Sequence, residues 1–417
     1  MSKLGIVVAG GPAPGINSVI AAAVIRARLS GVEVVGIRDG FKWIMTGDTT
    51  RVVPLEISGT TRIHYRGGSF LGISRANPTK HPEHMAGTLA SLASLGVDKL
   101  VTIGGDDTAY SAHRLALASA GKLRVVHVPK TIDNDLDLPP EVNTFGYLTA
   151  RSVGVSIVEN LMVDAKTTAR WYFVVAMGRK AGHLALGIGK AAAATITLIP
   201  EEFVGARARL STIVDTLAGA IIKRLAQGKH DGVAVLAEGL VEILPESDLA
   251  DLSRVERDAH DHIRLAEVNF GDIVKAAVRA RLEGLGVDVT IVSKNIGYEL
   301  RCADPVASDM EYCRDLGHSA ARFILEGGSG ALVSMQGGRF KPIPFADIMD
   351  PATGRMRVRM VDLHSERYAI ARAFMLRLGQ TDLLDRAALA RIAAVANLSP
   401  EQFEREFSSA FCDVPAS

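Results

Sequence analysis

The sequence contains little cysteine, almost no net charge and no long apolar run, and each shortage excludes a class of protein. Only three cysteines occur in 417 residues, namely Cys302, Cys313 and Cys412, and none belongs to a CxxC pair. Neither a disulfide framework nor a zinc site is therefore expected. The formal net charge of +1 argues against a surface for nucleic acid or another polyanion.

The N-terminus and the apolar segments argue against export and membrane insertion. The opening MSKLGIVVAGG runs directly into a strand-like segment, without the basic region, apolar core and cleavage site of a signal peptide. No apolar run reaches membrane-spanning length. We therefore expect a cytoplasmic protein without a membrane partner.

What the sequence does contain is an alternation of short apolar runs with amphipathic segments. A chain of 417 residues is too long for one ordinary core, so two domains are expected. The runs are rich in Val and Ile, as parallel strands buried on both faces are. They occupy residues 4–10, 99–105, 124–130, 172–178, 195–201, 232–239 and 288–293. Helix-like segments lie between them, at 84–95, 108–120, 146–166, 211–227 and 267–284. The alternation predicts an α/β fold with doubly wound, Rossmann-like parallel sheets.

Six polar motifs follow the strand-like runs. They are GGPAPG, GGDD, PKTIDND, MGRKAG, IPEE and AEG. In open parallel sheets, ligands bind at the carboxyl ends of the strands. The motifs therefore predict binding sites at these ends.

Two glycine-rich motifs are suited to phosphate. GGPAPGIN, residues 10–17, precedes a helix, and its glycines let backbone N–H groups approach an anion. It matches neither the dinucleotide nor the Walker pattern, and a tight turn without a ligand is the alternative. In GGDDT, Asp106 could hold Mg²⁺, which prefers carboxylates together with phosphate oxygens. Asp107 is either a helix N-cap or has a separate role.

PKTIDND places Lys130, Thr131, Asp133 and Asp135 after another strand. If the strand end is extended, Thr131, Asp133 and Asp135 face the same way. An aspartate near a substrate hydroxyl can accept its proton during phosphoryl transfer. An Asx-turn is the alternative for this motif.

The remaining candidates are cations and one carboxylate. Arg170 and Arg179 are suited to phosphate oxygens, because a guanidinium group binds them through two donors at once. Glu238 can accept hydrogen bonds from sugar hydroxyls. The alternatives are solvated arginines and a buried capping carboxylate.

Taken in order, these motifs resemble those of the phosphofructokinase A family. The similarity runs from GGPAPGIN through RGGSFLGISR (66–75), GGDDT, PKTIDND, ARWYFVVAMGR (169–179) and AEG to GYELRCADPVASDMEYCRDLG (297–317). The resemblance implies two doubly wound domains that flank an active-site cleft, with Mg²⁺ as the cofactor. It also implies transfer of a phosphoryl group to the 1-hydroxyl of fructose 6-phosphate.

The resemblance implies a role for each matching residue. Asp133 would accept the hydroxyl proton, Asp106 would hold Mg²⁺ and Gly11 would contact the phosphoryl donor. The residues expected to line the reacting phosphoryl group and the sugar phosphate are Thr131, Ile132, Met177, Gly178, Arg179, Glu238, Tyr298 and Arg301. Arg170 matches a position that reaches the sugar phosphate of a neighbouring subunit, so a complete site implies an oligomer. We expect a homodimer, with a tetramer as the alternative.

Two residues favour pyrophosphate over ATP as the donor. Members of the family that use ATP typically have glycine at the positions of Asp107 and Lys130, whereas members that use pyrophosphate resemble this chain at both. A side chain at 107 fills space that a nucleotide α-phosphate needs, and its charge repels that phosphate. Lys130 places a cation where the leaving phosphate develops charge. The alternatives are an ATP-dependent phosphofructokinase and a non-catalytic sugar-phosphate sensor.

The motifs also divide the chain. We expect residues 1–150, with about 305–345, to bind pyrophosphate and Mg²⁺, and residues 151–304 to bind fructose 6-phosphate. Residues 346–417 are expected to be helical, with packing as their role. The charged insertion near 245–270 is expected to be a solvated helix or lobe.

Overall fold

The computed structural model describes residues 2–248, 269–350 and 356–411. Most of the charged insertion near 245–270 lies outside the described residues, and so does Cys412. The chain forms two compact units. The first comprises Met1–Ala150 and Tyr298–Arg359, and the second comprises Arg151–Gly297 and Met360–Ser417.

The strands are numbered in chain order. They are β1 Lys3–Val8, β2 Glu33–Ile37, β3 Val52–Pro54, β4 Val97–Gly104, β5 Arg124–Thr131, β6 Phe145–Gly146, β7 Trp171–Ala176, β8 Ile196–Leu198, β9 Gly232–Ala237, β10 Ile291–Ile296, β11 Ala331–Leu332, β12 Met335–Gln336, β13 Arg339–Phe340 and β14 Ile343–Pro344. The helices are α1 Ile16–Leu29, α2 Ile57–Thr60, α3 Pro82–Ser94, α4 Asp106–Ala118, α5 Tyr147–Thr168, α6 His183–Ala191, α7 Leu210–Ala226, α8 Phe270–Glu283, α9 Tyr298–Arg301, α10 Ala307–Leu325, α11 Phe345–Ile348, α12 Glu366–Ala373, α13 Gln380–Leu384, α14 Arg386–Val395 and α15 Pro400–Glu406.

The sheet of the first unit is mostly parallel. Its strand order is β14-β11-β5-β4-β1-β2-β3, and β6 also pairs with β5. Neighbouring strands are parallel along the path β11-β5-β4-β1-β2. The two outer pairs, β2–β3 and β11–β14, are antiparallel. The α/β class with parallel sheets that the sequence predicts is confirmed.

Burial on both faces explains why the central strands are continuous apolar runs. Along β4, Val101 and Ile103 pack into one apolar cluster of the first unit, and Leu100 packs into another. Successive side chains of a strand point to opposite faces, so both faces of this sheet must be covered by apolar side chains.

The second unit contains a smaller sheet of four parallel strands. Its order is β10-β7-β9-β8. The C-terminal helices belong to this unit, since Leu389, Phe403 and Phe407 pack into the same core cluster as Phe173 of β7. No helix within residues 2–248, 269–350 and 356–411 is long and apolar enough to cross a membrane.

A buried ion pair also connects the C-terminal segment to this unit. The Arg377 guanidinium donates hydrogen bonds of 2.6 and 3.0 Å to the Glu202 carboxylate. Tyr368 donates a third hydrogen bond, of 2.9 Å, to the same carboxylate. A buried charge is tolerated when it is paired and hydrogen-bonded in this way.

Residues 298–304 lie in the first unit, whereas the sequence interpretation assigned them to the second domain. The backbone N–H of Gly67 donates a 2.7 Å hydrogen bond to the Asp304 carboxylate. Arg301 approaches Gly11 so closely that a Cβ atom added to Gly11 would lie 3.2 Å from Nη1 of Arg301. These contacts hold the segment against the first unit.

Candidate active site

In the first unit, three of the polar motifs begin at adjacent strand ends. Strands β1, β4 and β5 are parallel neighbours, and their registers align Val8 with Ile103 and Ile103 with Val128. The loops after these strands therefore leave the same edge of the sheet. GGPAPG follows β1, GGDD spans the end of β4 and the start of α4, and the IDND part of PKTIDND follows β5, to which Lys130 and Thr131 themselves belong.

The glycine loop after β1 is fixed by its neighbours. Gly10 adopts a φ of 87°, which favours glycine over other residues. Its N–H donates a 2.9 Å hydrogen bond to the carbonyl of Ser74. The Lys130 ammonium group donates to the carbonyl of Gly11. The loop and the end of β5 are thus joined by a charged side chain.

Lys130 is the buried cation of this edge. Its side chain is only 4% exposed. Burial lowers the pKa of Lys130 to about 8, and the charge of Arg301 acts in the same direction, whereas the carboxylates of Asp133, Asp106 and Asp135 oppose the shift. The ammonium form still predominates at neutral pH. A buried cation that interacts electrostatically with three carboxylates is suited to a ligand that carries both phosphate and a metal ion.

The two aspartates of GGDD occupy the first turn of α4. The helix begins at Asp106 and Gly105 is the N-cap residue, so the interpretation of Asp107 as an N-cap is wrong. The Asp106 carboxylate accepts a 2.9 Å hydrogen bond from the N–H of Asp107. Asp107 is exposed, whereas Asp106 is half-buried. Both negative charges lie near the positive end of the helix dipole, which stabilises them.

Asp133 lies in a turn directly after β5. The N–H of Asp133 donates a 3.0 Å hydrogen bond to the hydroxyl of Thr131. Asn134 follows with a φ of 58°, so the chain is no longer extended here. The expected grouping of Thr131, Asp133 and Asp135 by strand alternation therefore does not apply beyond Thr131. The side chain of Ile132 is buried.

Arg301 brings a second cation to the first unit's loops. Its Cζ atom lies 4.7 Å from the ring centre of Tyr298, which is 58% exposed. Burial lowers the pKa of Arg301, and the charge of Arg75 lowers it further. The buried Nε atom of Arg301 has no hydrogen-bond partner among the described residues. An unsatisfied buried guanidinium donor is suited to an anionic oxygen.

In the second unit, the loop after β7 is joined to the end of β9. The N–H of Met177 donates a 3.0 Å hydrogen bond to Ile296, and the N–H of Gly178 donates a 3.2 Å hydrogen bond to the buried Glu238 carboxylate. Gly239 in turn donates a 3.0 Å hydrogen bond to the carbonyl of Gly178. Met177, Gly178 and Glu238 are therefore neighbours.

Comparison with known proteins now identifies the family of the chain. A sequence profile described as phosphofructokinase matches residues 3–324. The chain belongs to the phosphofructokinase family.

Two similar relatives in this family carry the same name, pyrophosphate–fructose 6-phosphate 1-phosphotransferase. The protein from Thermotoga maritima is 50% identical over 410 residues, which cover 97% of this chain and 98% of the relative. The protein from Naegleria fowleri is 48% identical over 413 residues, covering 97% of this chain and 94% of the relative. The resemblance that the ordered motifs indicate is thereby confirmed.

A solved structure agrees on the fold. The pyrophosphate-dependent phosphofructokinase from Nitrosospira multiformis superposes with a TM-score of 0.67 at 18% identity, and the match covers 95% of this chain and 91% of that chain. The phosphofructokinase fold thus accounts for nearly the whole length of the chain.

Arg170 is the one expected phosphofructokinase site residue that precedes a strand. It stands directly before β7, whereas Met177 and Arg179 follow that strand. The six residues of β7 separate Arg170 from Met177 by roughly 20 Å. Within its own chain, Arg170 is therefore remote from the Met177 loop. Its buried Nε atom has no hydrogen-bond partner among the described residues.

Sequence reasoning missed two residues near these loops. Arg75 ends the RGGSFLGISR motif and follows Ser74, which forms a bridge with Ala9, so it lies beside the glycine loop. Its position at the end of the RGGSFLGISR motif is the signal in the sequence. Glu201 of the IPEE motif accepts hydrogen bonds of 2.9 Å from the N–H groups of Gly182 and Val361. Burial raises the pKa of Glu201.

No preformed metal cage is needed for the expected Mg²⁺. Within residues 2–248, 269–350 and 356–411, no group of three or more His, Cys, Asp or Glu side chains is arranged to hold a metal ion. Mg²⁺ in phosphoryl-transfer sites is usually held by one or two carboxylates, substrate phosphates and water. The half-buried Asp106 carboxylate fits that mode of binding.

Proposed function

We propose that this protein transfers a phosphoryl group from pyrophosphate to the 1-hydroxyl of fructose 6-phosphate, reversibly and with Mg²⁺, giving fructose 1,6-bisphosphate and phosphate. The observation that carries the proposal is the buried Lys130 ammonium group, which donates to the carbonyl of Gly11 and interacts electrostatically with Asp106, Asp133 and Asp135. Two relatives that share about half of the sequence bear the name of this activity.

Lys130 supplies the positive charge for the departing phosphate. The group is already oriented by its hydrogen bond to Gly11, so little reorganisation is needed as charge develops. Gly11 contacts the donor through its backbone, and Nη1 of Arg301 lies close to this glycine.

Asp106 holds Mg²⁺ together with oxygens of pyrophosphate. The metal ion would neutralise the charge of the phosphates and orient them. Asp106 is suited to this role because it is half-buried beside Lys130 and begins a helix at the sheet edge.

Asp133 accepts the proton of the sugar hydroxyl, and Thr131 and Arg179 line the transferred group. The turn that carries Asp133 is fixed by its hydrogen bond to Thr131, which favours a defined position for the carboxylate. Ile132 takes part through its backbone, since its side chain is buried.

Fructose 6-phosphate is bound by Met177, Gly178, Glu238, Tyr298 and Arg301. The hydrogen bond from Gly178 to Glu238 supports this assignment, because it places the carboxylate at the end of β9 next to the loop that carries Met177 and Gly178. Arg170 would serve the site of another subunit, in keeping with its distance from Met177. The active form is accordingly a homodimer, or a tetramer built from such dimers, in the cytoplasm.

Asp107 excludes ATP. The side chain extends from the first turn of α4 and is exposed, so it occupies space directly beside the magnesium carboxylate. A nucleotide would bring its α-phosphate and nucleoside there, against both the volume and the charge of Asp107. Pyrophosphate has neither group.

A donor assay tests the proposal. The purified protein is incubated with fructose 6-phosphate and Mg²⁺, and with either pyrophosphate or ATP, and fructose 1,6-bisphosphate is measured. We expect kcat/KM to be at least about 100-fold higher with pyrophosphate. Faster turnover with ATP would contradict the donor assignment, and binding of fructose 6-phosphate without turnover on either donor would favour a sensor.

A further inference from the structure

The backbone on both sides of Asp133 is held by hydrogen bonds. On the strand side, the hydroxyl of Thr144 donates a 2.7 Å hydrogen bond to the carbonyl of Thr131. On the other side, the amide oxygen of Asn134 accepts a 2.9 Å hydrogen bond from the N–H of Thr144. Asn134 has a positive φ, so this side of the turn adopts a conformation that needs support.

That support comes mainly from Arg359. Its guanidinium group donates to the carbonyl of Asn134 at 3.0 and 3.2 Å and to the amide oxygen of Asn134 at 2.6 Å. It also donates to the carbonyls of Leu138, Pro139 and Val142, at 3.3, 3.1 and 2.8 Å. One side chain thus satisfies acceptors spread over the whole loop from 134 to 142.

The backbone around Arg359 contacts the same loop. The N–H of Arg359 donates a 2.8 Å hydrogen bond to the carbonyl of Asp135, and Val358 forms an antiparallel bridge with Leu136. Both the side chain and the backbone of Arg359 therefore hold this loop. Arg359 lies beyond residue 324, where the match to the family profile ends.

We propose that Arg359 is a positioning residue for phosphoryl transfer: it fixes the backbone that follows Asp133 and thereby the direction of the Asp133 carboxylate. The inference rests on the proposed function, which makes Asp133 the proton acceptor. Arg359 donates these hydrogen bonds to the loop from 134 to 142, so its role is to position and not to react. A planar guanidinium with five N–H donors can bind acceptors in several directions, whereas the single nitrogen of lysine cannot.

The expected consequence is a loss of turnover without a loss of sugar binding. A displacement of about 1 Å at a catalytic group can cost about 100-fold in rate. We expect Arg359→Lys to lower kcat about 10- to 100-fold. The Kd for fructose 6-phosphate, measured by calorimetry, should change less than about twofold, because Met177, Gly178 and Glu238 are untouched.

Arg357 offers a matched control on the same strand-like segment. It is exposed, and it pairs with the half-buried Asp137 at 2.6 Å. Exposed ion pairs contribute little. Arg357→Lys should leave kcat within about twofold of the wild type, and an equal loss in both variants would overturn the specific role of Arg359.

A double variant separates positioning from general damage. If Arg359 acts through Asp133, then Arg359→Lys should have no further effect on kcat in an Asp133→Asn background. If the double variant instead loses kcat by the product of the two single losses, the inference is overturned. A wild-type kcat for Arg359→Lys alone would also overturn it. The wild-type protein is assayed in parallel to distinguish failure of the proposed function from failure of the role of Arg359. If the wild type is inactive with pyrophosphate, the proposed function is refuted, and not the role of Arg359.

A second variant covers the case in which Arg359→Lys does not fold, as judged by circular dichroism. Asn134→Gly keeps the positive φ and the carbonyl but removes the amide oxygen, which accepts hydrogen bonds from both Arg359 and Thr144. We expect kcat to fall several-fold with an unchanged Kd for fructose 6-phosphate. Unchanged turnover in this variant would overturn the inference.

Discussion

The ammonium group of Lys130 and the backbone carbonyl of Gly11 are joined by a hydrogen bond of 2.5 Å. This contact connects the ends of β5 and β1, which are not adjacent in the sheet because β4 lies between them. A phosphate bound by the glycine loop would therefore meet a cation that is already held in place. Such preorganisation stabilises charge that develops during reaction.

The lowered pKa of Lys130 predicts a pH dependence. Lysine is charged below its pKa, and burial moves that pKa from 10.5 to about 8. The active cation should therefore be lost as pH rises through about 8, far below the pH at which an ordinary lysine loses its proton. We expect kcat/KM for pyrophosphate to fall above about pH 8, since this ratio reports the free enzyme.

Lys130→Arg provides the comparison for this prediction. Arginine keeps its charge at all accessible pH values, and the ionisation of pyrophosphate affects both proteins equally. The ratio of kcat/KM between wild type and variant, measured from about pH 6 to about pH 9.5, should fall only on the alkaline side. A ratio that does not change with pH would show that Lys130 does not titrate in this range.

Removal of the Asp107 side chain should relax the exclusion of ATP. Asp107→Gly restores both the space and the neutrality that a nucleotide α-phosphate requires. We expect kcat/KM with ATP to rise at least about tenfold, which corresponds to about 1.4 kcal/mol. Combining it with Lys130→Gly should lower turnover with pyrophosphate.

Asp107→Asn distinguishes volume from charge in the same assay. This variant keeps the size of the side chain and removes its negative charge. A gain with asparagine as large as that with glycine would assign the exclusion to charge, and no gain with asparagine would assign it to volume. An unchanged donor preference in both variants would refute the role of Asp107.

Asp133→Ser should abolish turnover and leave sugar binding intact. General bases typically contribute about 100- to 10,000-fold to rate, so kcat should fall by at least about 100-fold. The Kd for fructose 6-phosphate should remain within about threefold. Near-normal turnover would show that another group accepts the proton.

The buried pair of Arg377 and Glu202 should contribute strongly to stability. Arg377→Met leaves the Glu202 carboxylate buried and without its cation, which typically costs about 3–5 kcal/mol. Urea unfolding followed by fluorescence measures this loss. The double variant Arg377→Met, Glu202→Gln should recover part of it, because the unpaired charge is removed.

An exposed pair serves as the control for that experiment. Arg386 and Glu404 are 3.2 Å apart with side chains that are 65% and 43% exposed. Arg386→Met should change the free energy of unfolding by less than about 1 kcal/mol. Equal losses at the two sites would indicate that burial of the Arg377 pair has no special effect.

Much of the fold could be predicted because the relevant signal is local. The sequence predicts strand β5 at 124–130, and the strand is found at Arg124–Thr131. An apolar run that ends in a polar motif is typical of a buried parallel strand. Likewise, α5 was expected at 146–166 and extends over Tyr147–Thr168. The edge that carries Lys130, Asp106 and Asp133 follows from the same pattern.

Other features have no local signal. Glu201 and Arg359 act through backbone N–H and carbonyl groups of distant residues. Every residue type offers a carbonyl, and every type except proline offers an N–H. No spacing or composition therefore indicates these contacts. The N-cap of α4 was ambiguous for a related reason, because both Gly105 and Asp107 are acceptable N-cap residues.

The core of the second unit has a practical consequence for anyone who shortens this chain. Leu389, Phe403 and Phe407 complete an apolar cluster around the four-stranded sheet, although they lie far beyond the end of the family match at residue 324. Truncation there would expose that cluster to water and leave Glu202 without Arg377. The boundary drawn by sequence similarity is thus not a place where the polypeptide can be cut, and expression of an autonomous catalytic fragment requires the final helices.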